Sequence, residues 1–367
     1  MDVVSSSVTV DLTAVIVSVR GRSPCVLEID PHSGGRSHLP WGPFGPEHRT
    51  LEAGLREWVE RQTRISLGYV EQLYTFGDSN RAGFSSSVAE DSGAGGTIAG
   101  GTTAGGTSAG GTTAGGTTSA RGRSAGNDSR PRAARNISVA YLALVHADRA
   151  RASVPGAVWR SWYDHLPWED WREGEPESMR SVLDRLECWA SAGEDEQVRA
   201  RRRTRVRLAF GGNGVPRDEE RVLERYELLY EAALIPEAWY DAGAQPPAEA
   251  ASMPGRPMST DHRRILATAI GRLRGKIKYR PVLFELMPPS FTLLALQLTA
   301  EALSGAGLHK QNFRRLVHNQ QLVEPTGEVE QETGGRPAKL MRFRREVELE
   351  RPSPGVRMSA TRRAGLV

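Results

Sequence analysis

The sequence has few of the residues that build covalently or metal-held folds. Only two of its 367 residues are cysteines, Cys25 and Cys188, and they lie far apart in the chain. This spacing excludes a disulfide-rich scaffold and a cysteine-cluster metal site, and it suits a reducing compartment. No apolar run approaches the ~20 residues that a membrane-spanning helix needs, and the N-terminus lacks the basic start of a secretory signal. These absences predict a cytoplasmic protein with no membrane partner.

The chain is also poor in apolar residues, which make up 38% of it, below the usual value for globular chains. Glycine is in excess, mostly in residues 94–118, which are five copies of Ala-Gly-Gly-Thr, each followed by Ile, Thr or Ser. Such a repeat cannot bury apolar area, so we predict a disordered insertion at 82–135. Its arginine-rich end is either part of a tolerated loop insertion or an auxiliary non-specific DNA contact.

Positive charge is concentrated near the C-terminus. Residues 259–367 carry 19 Lys and Arg against 10 Asp and Glu, whereas residues 1–258 carry 29 against 34. A basic domain on an acidic body indicates a polyanionic partner for that domain. A basic helix is often only solvated surface, and it is the concentration of charge that favours DNA here.

Residues 290–343 have the pattern of helix, tight turn, helix and glycine-punctuated hairpin. Thr292 stands at an N-cap position before an apolar-periodic run, and Gly305 and Gly307 supply the turn. In the second helix, Phe313 begins an apolar face, and basic and amide side chains occupy the opposite face, as in a winged helix-turn-helix. Such side chains reach base edges and phosphates of double-stranded DNA. The residues predicted to contact DNA are Thr292, Lys310, Gln311, Asn312, Arg314, Arg315, His318, Arg336 and Lys339.

A second motif lies on the helix predicted over residues 51–63, which Thr50 caps. Gly42, Arg56, Glu57 and Glu60 have the spacing of a box that resembles that of the Nudix hydrolases. In that family the box glutamates hold a divalent metal, which bridges a diphosphate and activates water.

Three positions of this box differ from the family pattern. His48 and Arg61 replace glutamates, and Thr63 replaces the closing glycine. Arg61 puts a positive charge where a metal ligand should lie, and two carboxylates hold Mg²⁺ poorly without substrate phosphates. We therefore expect a domain that keeps the fold but has no catalytic residues and no metal site.

The turn at 76–81, the strand at 137–145 and residues 261–343 resemble one family, the Nudix-related transcriptional regulators of NAD metabolism of the NrtR type. The tryptophan-rich middle resembles its NadQ branch. The resemblance covers most of the chain except 82–135. It implies an α+β, multi-domain fold: a Nudix-like α/β/α sandwich, a helical middle extension and a C-terminal winged helix-turn-helix. It also implies a homodimeric repressor that binds palindromic operators of NAD synthesis or salvage genes.

The composition and the resemblance together predict five regions. They are a Nudix-like sensor at 1–148, a tryptophan-rich helical extension at 149–245, a linker at 246–258, a connecting helix with the winged helix domain at 259–350, and a disordered tail at 351–367.

The resemblance also implies an effector, ADP-ribose or a related NAD-derived nucleotide, and no required cofactor. Arginines suit a diphosphate, and carboxylates suit ribose hydroxyls or a phosphate-bound metal. The candidate effector-binding residues are Arg56, Glu57, Glu60, Phe76, Asp78 and Arg81.

Two other functions remain open at this point. One is an active Nudix hydrolase with an attached DNA-binding domain. Arg61 argues against it, and Glu47 supplies the carboxylate missing at His48 only if the box is shifted by one residue. A nucleic-acid scaffold tethered by the glycine tract is the other, and it leaves the turn at 76–81 unexplained.

Overall fold

The computed structural model describes residues 8–31, 35–77, 135–148, 154–330, 337–350 and 355–356. The candidate residues Asp78, Arg81 and Arg336 lie outside this part of the chain, as do the glycine-threonine repeat and nearly all of the predicted tail. No helix within these ranges is long and apolar enough to cross a membrane.

The strands are β1 Val8–Arg20, β2 Ser23–Ile29, β3 Trp41–Pro43, β4 Tyr69–Phe76, β5 Arg135–Leu144, β6 Ala157–Ser161, β7 Phe291–Thr292, β8 Val323–Glu330 and β9 Ala338–Phe343. The α-helices are α1 Leu51–Thr63, α2 Trp162–His165, α3 Ser178–Ser191, α4 Glu196–Phe210, α5 Val222–Glu231, α6 Pro236–Asp241, α7 Ala248–Ala251, α8 His262–Ile277, α9 Leu293–Ser304, α10 Lys310–Asn319 and α11 Val347–Glu350.

A mixed sheet of order β4-β5-β1-β2-β6, with β3 also paired to β1, occupies the predicted sensor region and continues beyond its predicted end at residue 148, because β6 pairs with β2. β1 pairs in parallel with β5 and antiparallel with β2. Successive side chains of β1 point to opposite faces: Leu12, Ala14 and Ile16 pack under α1, whereas Val15 and Val17 belong to the core shared with the later helices. The sheet therefore lies between two helical layers, and the predicted multi-domain α+β fold is confirmed.

The tryptophan-rich extension is part of the main core. Trp162 and Trp168 are fully buried, and they join one cluster with Val17 of the sheet, Leu273 of α8 and Leu303 of α9. Large aromatic rings bury much apolar area, so here they bind the sensor to the C-terminal domain.

The segment predicted to be a linker, 246–258, is packed. It contains α7, and Met253 and Met258 are buried. The backbone N–H of Arg256 donates to the carbonyl of Asp164 at 2.7 Å. The composition predicted a linker here because it does not reveal the distant partners of the two methionines.

The C-terminal region follows the predicted order of elements. Helix α8 has an apolar residue at every fourth position along one side, and all four are buried: Ile265, Ala269, Leu273 and Ile277. α9 and α10 follow, and β7, β9 and β8 form a three-stranded sheet in that order. Residues 331–336, between β8 and β9, are not among the described ones.

Candidate DNA-binding surface and effector site

Helix α10 has one buried and one exposed face. Phe313 and Val317 are buried, and Leu316 packs against the same core. Its exposed polar side chains include Lys310, Gln311, Asn312, Arg314, Arg315 and His318. The helix therefore presents to solvent the amide and guanidinium groups that pair with adenine and guanine edges.

The turn between α9 and α10 is held from inside by two side chains of α9. The Glu301 carboxylate accepts the backbone N–H of Leu308 at 2.9 Å, and Gln297 Nε2 donates to the Leu308 carbonyl at 3.1 Å. α9 ends at Gly305, whose φ of 70° lies in the left-handed region that favours glycine. These contacts fix where α10 begins relative to α9.

Thr292 and Lys339 lie in the same domain. The Thr292 hydroxyl accepts the backbone N–H of Ala295 at 3.1 Å, so Thr292 is the N-cap of α9 as predicted. Lys339 is exposed on β9. The DNA contacts of these residues and of the α10 face stay a prediction.

The box helix α1 begins, as predicted, at the cap Thr50, whose side chain accepts the N–H of Ala53. Gly42 lies against this helix: a Cβ at Gly42 would stand 2.1 Å from the Trp58 ring. Trp58 Nε1 donates to the Pro43 carbonyl at 2.9 Å. The box glycine therefore makes room for the aromatic ring that fills the apolar position of the box.

Of the two box carboxylates that remain, Glu60 is exposed and Glu57 is flanked by two basic side chains. Arg61 Nη2 lies 2.5 Å from Glu57 Oε1, and its guanidinium also stacks 4.5 Å from the Trp58 ring centre. His48 is buried, its Nδ1 accepts the N–H of Gly45 at 3.0 Å, and its Nε2 lies 3.7 Å from Glu57 Oε2. Because Nδ1 is an acceptor, Nε2 carries the proton and points toward Glu57.

This arrangement does not fit a divalent metal. A cation held by Glu57 would meet the Arg61 guanidinium and the His48 N–H, where the Nudix pattern has two further carboxylates. Nor do three or more His, Cys, Asp or Glu side chains cluster as metal ligands anywhere in the described ranges.

Arg56 has a structural role. Its guanidinium pairs with Glu52 at 2.8 Å, donates to the Gly68 carbonyl at 3.1 Å, and also donates to the Leu67 carbonyl. It thus ties α1 to the loop that leads into β4, and its donors are directed at protein acceptors.

Phe76 is separated from the box residues by the sheet. It is buried and belongs to the core on the face opposite α1, and it faces the same way as its β5 partner Ser138. The sequence grouped Phe76 with Arg56, Glu57 and Glu60, but strand alternation places it on the other face.

A cleft of about 1060 Å³ opens between the sensor sheet and the C-terminal domain. Tyr69 and His146 line it on the sensor side, and Phe284, Arg342 and Phe343 line it on the other. Of the four candidate effector residues that the structure describes, none lines this cleft.

Residues 283–343 match the family model of the NrtR DNA-binding winged helix domain. Over these residues the chain is similar to the NrtR winged helix domains. The match includes α9, α10, β8 and β9, so the exposed basic helix belongs to a domain that is described as DNA-binding. The more specific NadQ branch stays a prediction.

The chain is also similar to regulators of known name. It is 40% identical over 86 residues to the ADPR responsive transcriptional repressor NtrR of Acinetobacter baylyi, over 23% of this chain and 34% of that protein. The match thus spans about a third of the relative's length. Among solved structures, the complex of Shewanella oneidensis NrtR with a 27mer DNA has 17% identity, covers 92% of this chain and 94% of its own, and has a TM-score of 0.48. A MutT/nudix family protein from Enterococcus faecalis has 12% identity, coverages of 93% and 88%, and a TM-score of 0.45.

A buried ion cluster that the sequence did not predict lies beside the matched region, and one of its members, Arg274, donates from Nε to the carbonyl of Leu303 in α9. The fully buried carboxylate of Glu169 contacts Arg225 Nε at 2.5 Å, Arg274 Nη1 at 2.7 Å and Arg217 Nη2 at 2.8 Å. An acid directly after a buried tryptophan was the only local signal, because its three partners come from distant parts of the chain.

Charge in this cluster is unequally compensated. Burial alone would raise the pKa of the Glu169 carboxyl, but Arg225, Arg217 and Arg274 together lower it to about 2. A single carboxylate pairs with three guanidinium groups. Burial lowers the pKa of the Arg217 guanidinium to about 10.

Proposed function

We propose that the protein is a transcriptional repressor of genes of NAD synthesis or salvage and that its sensor domain binds ADP-ribose or a related NAD-derived nucleotide. The observation that carries this proposal is the attachment of an NrtR winged helix domain, with the basic face of α10 exposed, to a sheet-and-helix domain with a degenerate Nudix box. The name of the Acinetobacter relative, an ADPR responsive repressor, supports the choice of effector.

Repression would use a homodimer with two α10 helices on a palindromic operator. The effector would favour an arrangement of the two winged helix domains that does not match the operator. The factor by which the ligand lowers DNA affinity is limited by how much more tightly the ligand binds this arrangement than the one that fits the operator.

We place the effector at the exposed edge of α1. Glu57 and Glu60 remain candidates for ribose hydroxyls, and Arg61 replaces Arg56 as the candidate for the diphosphate. The Arg61 side chain is 57% exposed and contacts only Trp58 and Glu57 of its own helix among the contacts described, whereas the guanidinium of Arg56 is directed at Glu52 and two loop carbonyls.

The rival function is an active Nudix hydrolase with an attached DNA-binding domain. The positions of Arg61 and His48 beside Glu57 argue against it, because their positive charge and N–H group occupy the place of metal-binding carboxylates. We therefore propose sensing without hydrolysis.

The test is a DNA-shift titration on promoter fragments of NAD synthesis and salvage genes from the same genome, with and without ADP-ribose, NAD and ATP. We expect a specific complex that ADP-ribose or NAD weakens and ATP does not. Arg61→Ala should abolish the nucleotide effect, and Arg49→Ala, an exposed arginine off the helix, should keep it. Equal binding to promoter and scrambled fragments would refute the proposed function.

A further inference from the structure

The tryptophan-rich segment, residues 162–172, touches the turn of the helix-turn-helix. The Tyr163 hydroxyl donates to the Ala302 carbonyl at 2.7 Å, and the backbone N–H of Trp171 donates to the Gly305 carbonyl at 2.8 Å. Trp171 and Ala306 also form a parallel β-bridge. The end of α9 and the turn before α10 are therefore hydrogen-bonded to this segment.

The Glu169 cluster reinforces the same contact. Arg274 bonds Glu169 and also donates from Nε to the Leu303 carbonyl at 3.1 Å, near the end of α9. A Cβ at Gly305 would lie 2.5 Å from Arg274 Nη2 and 2.5 Å from the Glu169 carbonyl oxygen. The turn is packed against the cluster so closely that only glycine fits there.

The other side of the segment is attached to the sensor sheet. His165 Nε2 hydrogen-bonds Glu28 of β2, and both side chains are fully buried. Its Nδ1 lies 2.9 Å from the Arg256 carbonyl. Arg172 donates to the carbonyl of Arg22 in the β1–β2 turn.

We propose that the tryptophan-rich segment is a rigid connection that transmits a displacement of β2 to the turn before α10, with Tyr163 and Glu169 as positioning residues for the recognition helix. The inference rests on the proposed function. Its physical basis is that His165, which contacts the sensor sheet, and Glu169, which bonds Arg274 beside α9, are only four residues apart and that both side chains are fully buried. A segment this short and closely packed has no room to change its own conformation, so a displacement at one end moves the other end too.

Two independent variants test the positioning role in the full chain. Tyr163→Phe removes the hydroxyl bonded to Ala302 and keeps the ring. Gly307→Ala adds a Cβ 3.0 Å from the Arg172 carbonyl, where glycine has no positive φ, and so moves the turn away from the segment. The matched controls are Tyr230→Phe, which loses a hydroxyl bond to Asp241, and Gly68→Ala, which meets no atom within 4 Å.

The first readout is amide hydrogen exchange of residues 302–308. We expect both test variants to exchange about fivefold faster there than the controls, because one hydrogen bond contributes that much to local opening. The second readout is the ratio of affinities for a promoter fragment and a scrambled fragment, which should fall in the test variants alone. Unchanged exchange at 302–308 in both folded test variants would overturn the positioning role.

Transmission is tested with Glu28→Gln, which keeps the shape of the side chain at the sensor contact. We expect its affinity for the promoter fragment to stay within about twofold of the parent, and the effect of ADP-ribose on that affinity to disappear. A full ADP-ribose effect in this variant would overturn the connection. A parent protein that binds no promoter fragment would refute the proposed function instead, and the exchange data would still decide the positioning role.

Discussion

The buried carboxylate of Glu169 makes a stability contribution that can be measured through its dependence on pH. Its pKa is lowered from 4.5 to about 2 in the folded protein. At about 1.4 kcal/mol per pKa unit, this corresponds to about 3 kcal/mol at neutral pH. Because the folded pKa is the lower one, the contribution is complete above about pH 4.5 and is lost as the pH falls toward 2.

Glu169→Gln should remove this contribution and leave three guanidinium groups around a neutral amide. Breaking a buried ion pair in this way costs about 3–5 kcal/mol. The measurement is urea unfolding of the parent and the variant at pH 7 and pH 3, followed by tryptophan fluorescence, since Trp168 and Trp171 adjoin the cluster. The difference in unfolding free energy should be about 3 kcal/mol at pH 7 and about half of that at pH 3.

The matched control is Glu231→Gln. Glu231 also pairs with an arginine, Arg205, at 2.5 Å, but both side chains are more than two-fifths exposed. An exposed pair contributes about 0–1 kcal/mol, so this variant should lie near the parent at both pH values. If Glu169→Gln loses the same free energy at pH 3 as at pH 7, the pKa of Glu169 is not lowered in the folded protein, and the reasoning fails.

Three further predictions concern the DNA-binding surface, the box and the repeat. Arg314→Ala should weaken the operator complex by about 1–3 kcal/mol more than the complex with scrambled DNA, because an arginine paired to guanine discriminates bases. Lys339→Ala should weaken both complexes equally and reduce their salt dependence. DNA titrations over a salt series check both, and parent-like operator binding by both Arg314→Ala and Arg315→Ala would exclude α10 as the recognition helix. With Mg²⁺ or Mn²⁺ we expect no hydrolysis of ADP-ribose in a phosphate-release assay, and turnover that disappears in Glu60→Gln would support the rival hydrolase. Deleting residues 94–118 should leave the Tm and DNA binding nearly unchanged because the repeat contains too little apolar area for a core, and a Tm loss of several degrees would contradict this.

The sequence by itself determined the local features of this protein. The apolar and basic faces of α10, the cap at Thr292, the left-handed end of α9 at Gly305 and the buried stripe of α8 all follow from residues within a few positions of one another. Helical periodicity and capping depend on such near neighbours, so their pattern is visible without a fold. The same holds for the departures of the Nudix box, which are a matter of residue identity.

Only the tertiary structure decided which side chains meet. It directed Arg56 at loop carbonyls, placed Phe76 on the far face of the sheet, packed the predicted linker into the core, and brought Glu169 to three arginines. These outcomes depend on contacts between residues far apart in the chain, and the free energy of such contacts comes from burial and from charge compensation in a shared interior. A local pattern carries no information about that interior, which is why the contacts of Tyr163 and Trp171 with the end of α9 emerged only from the folded chain.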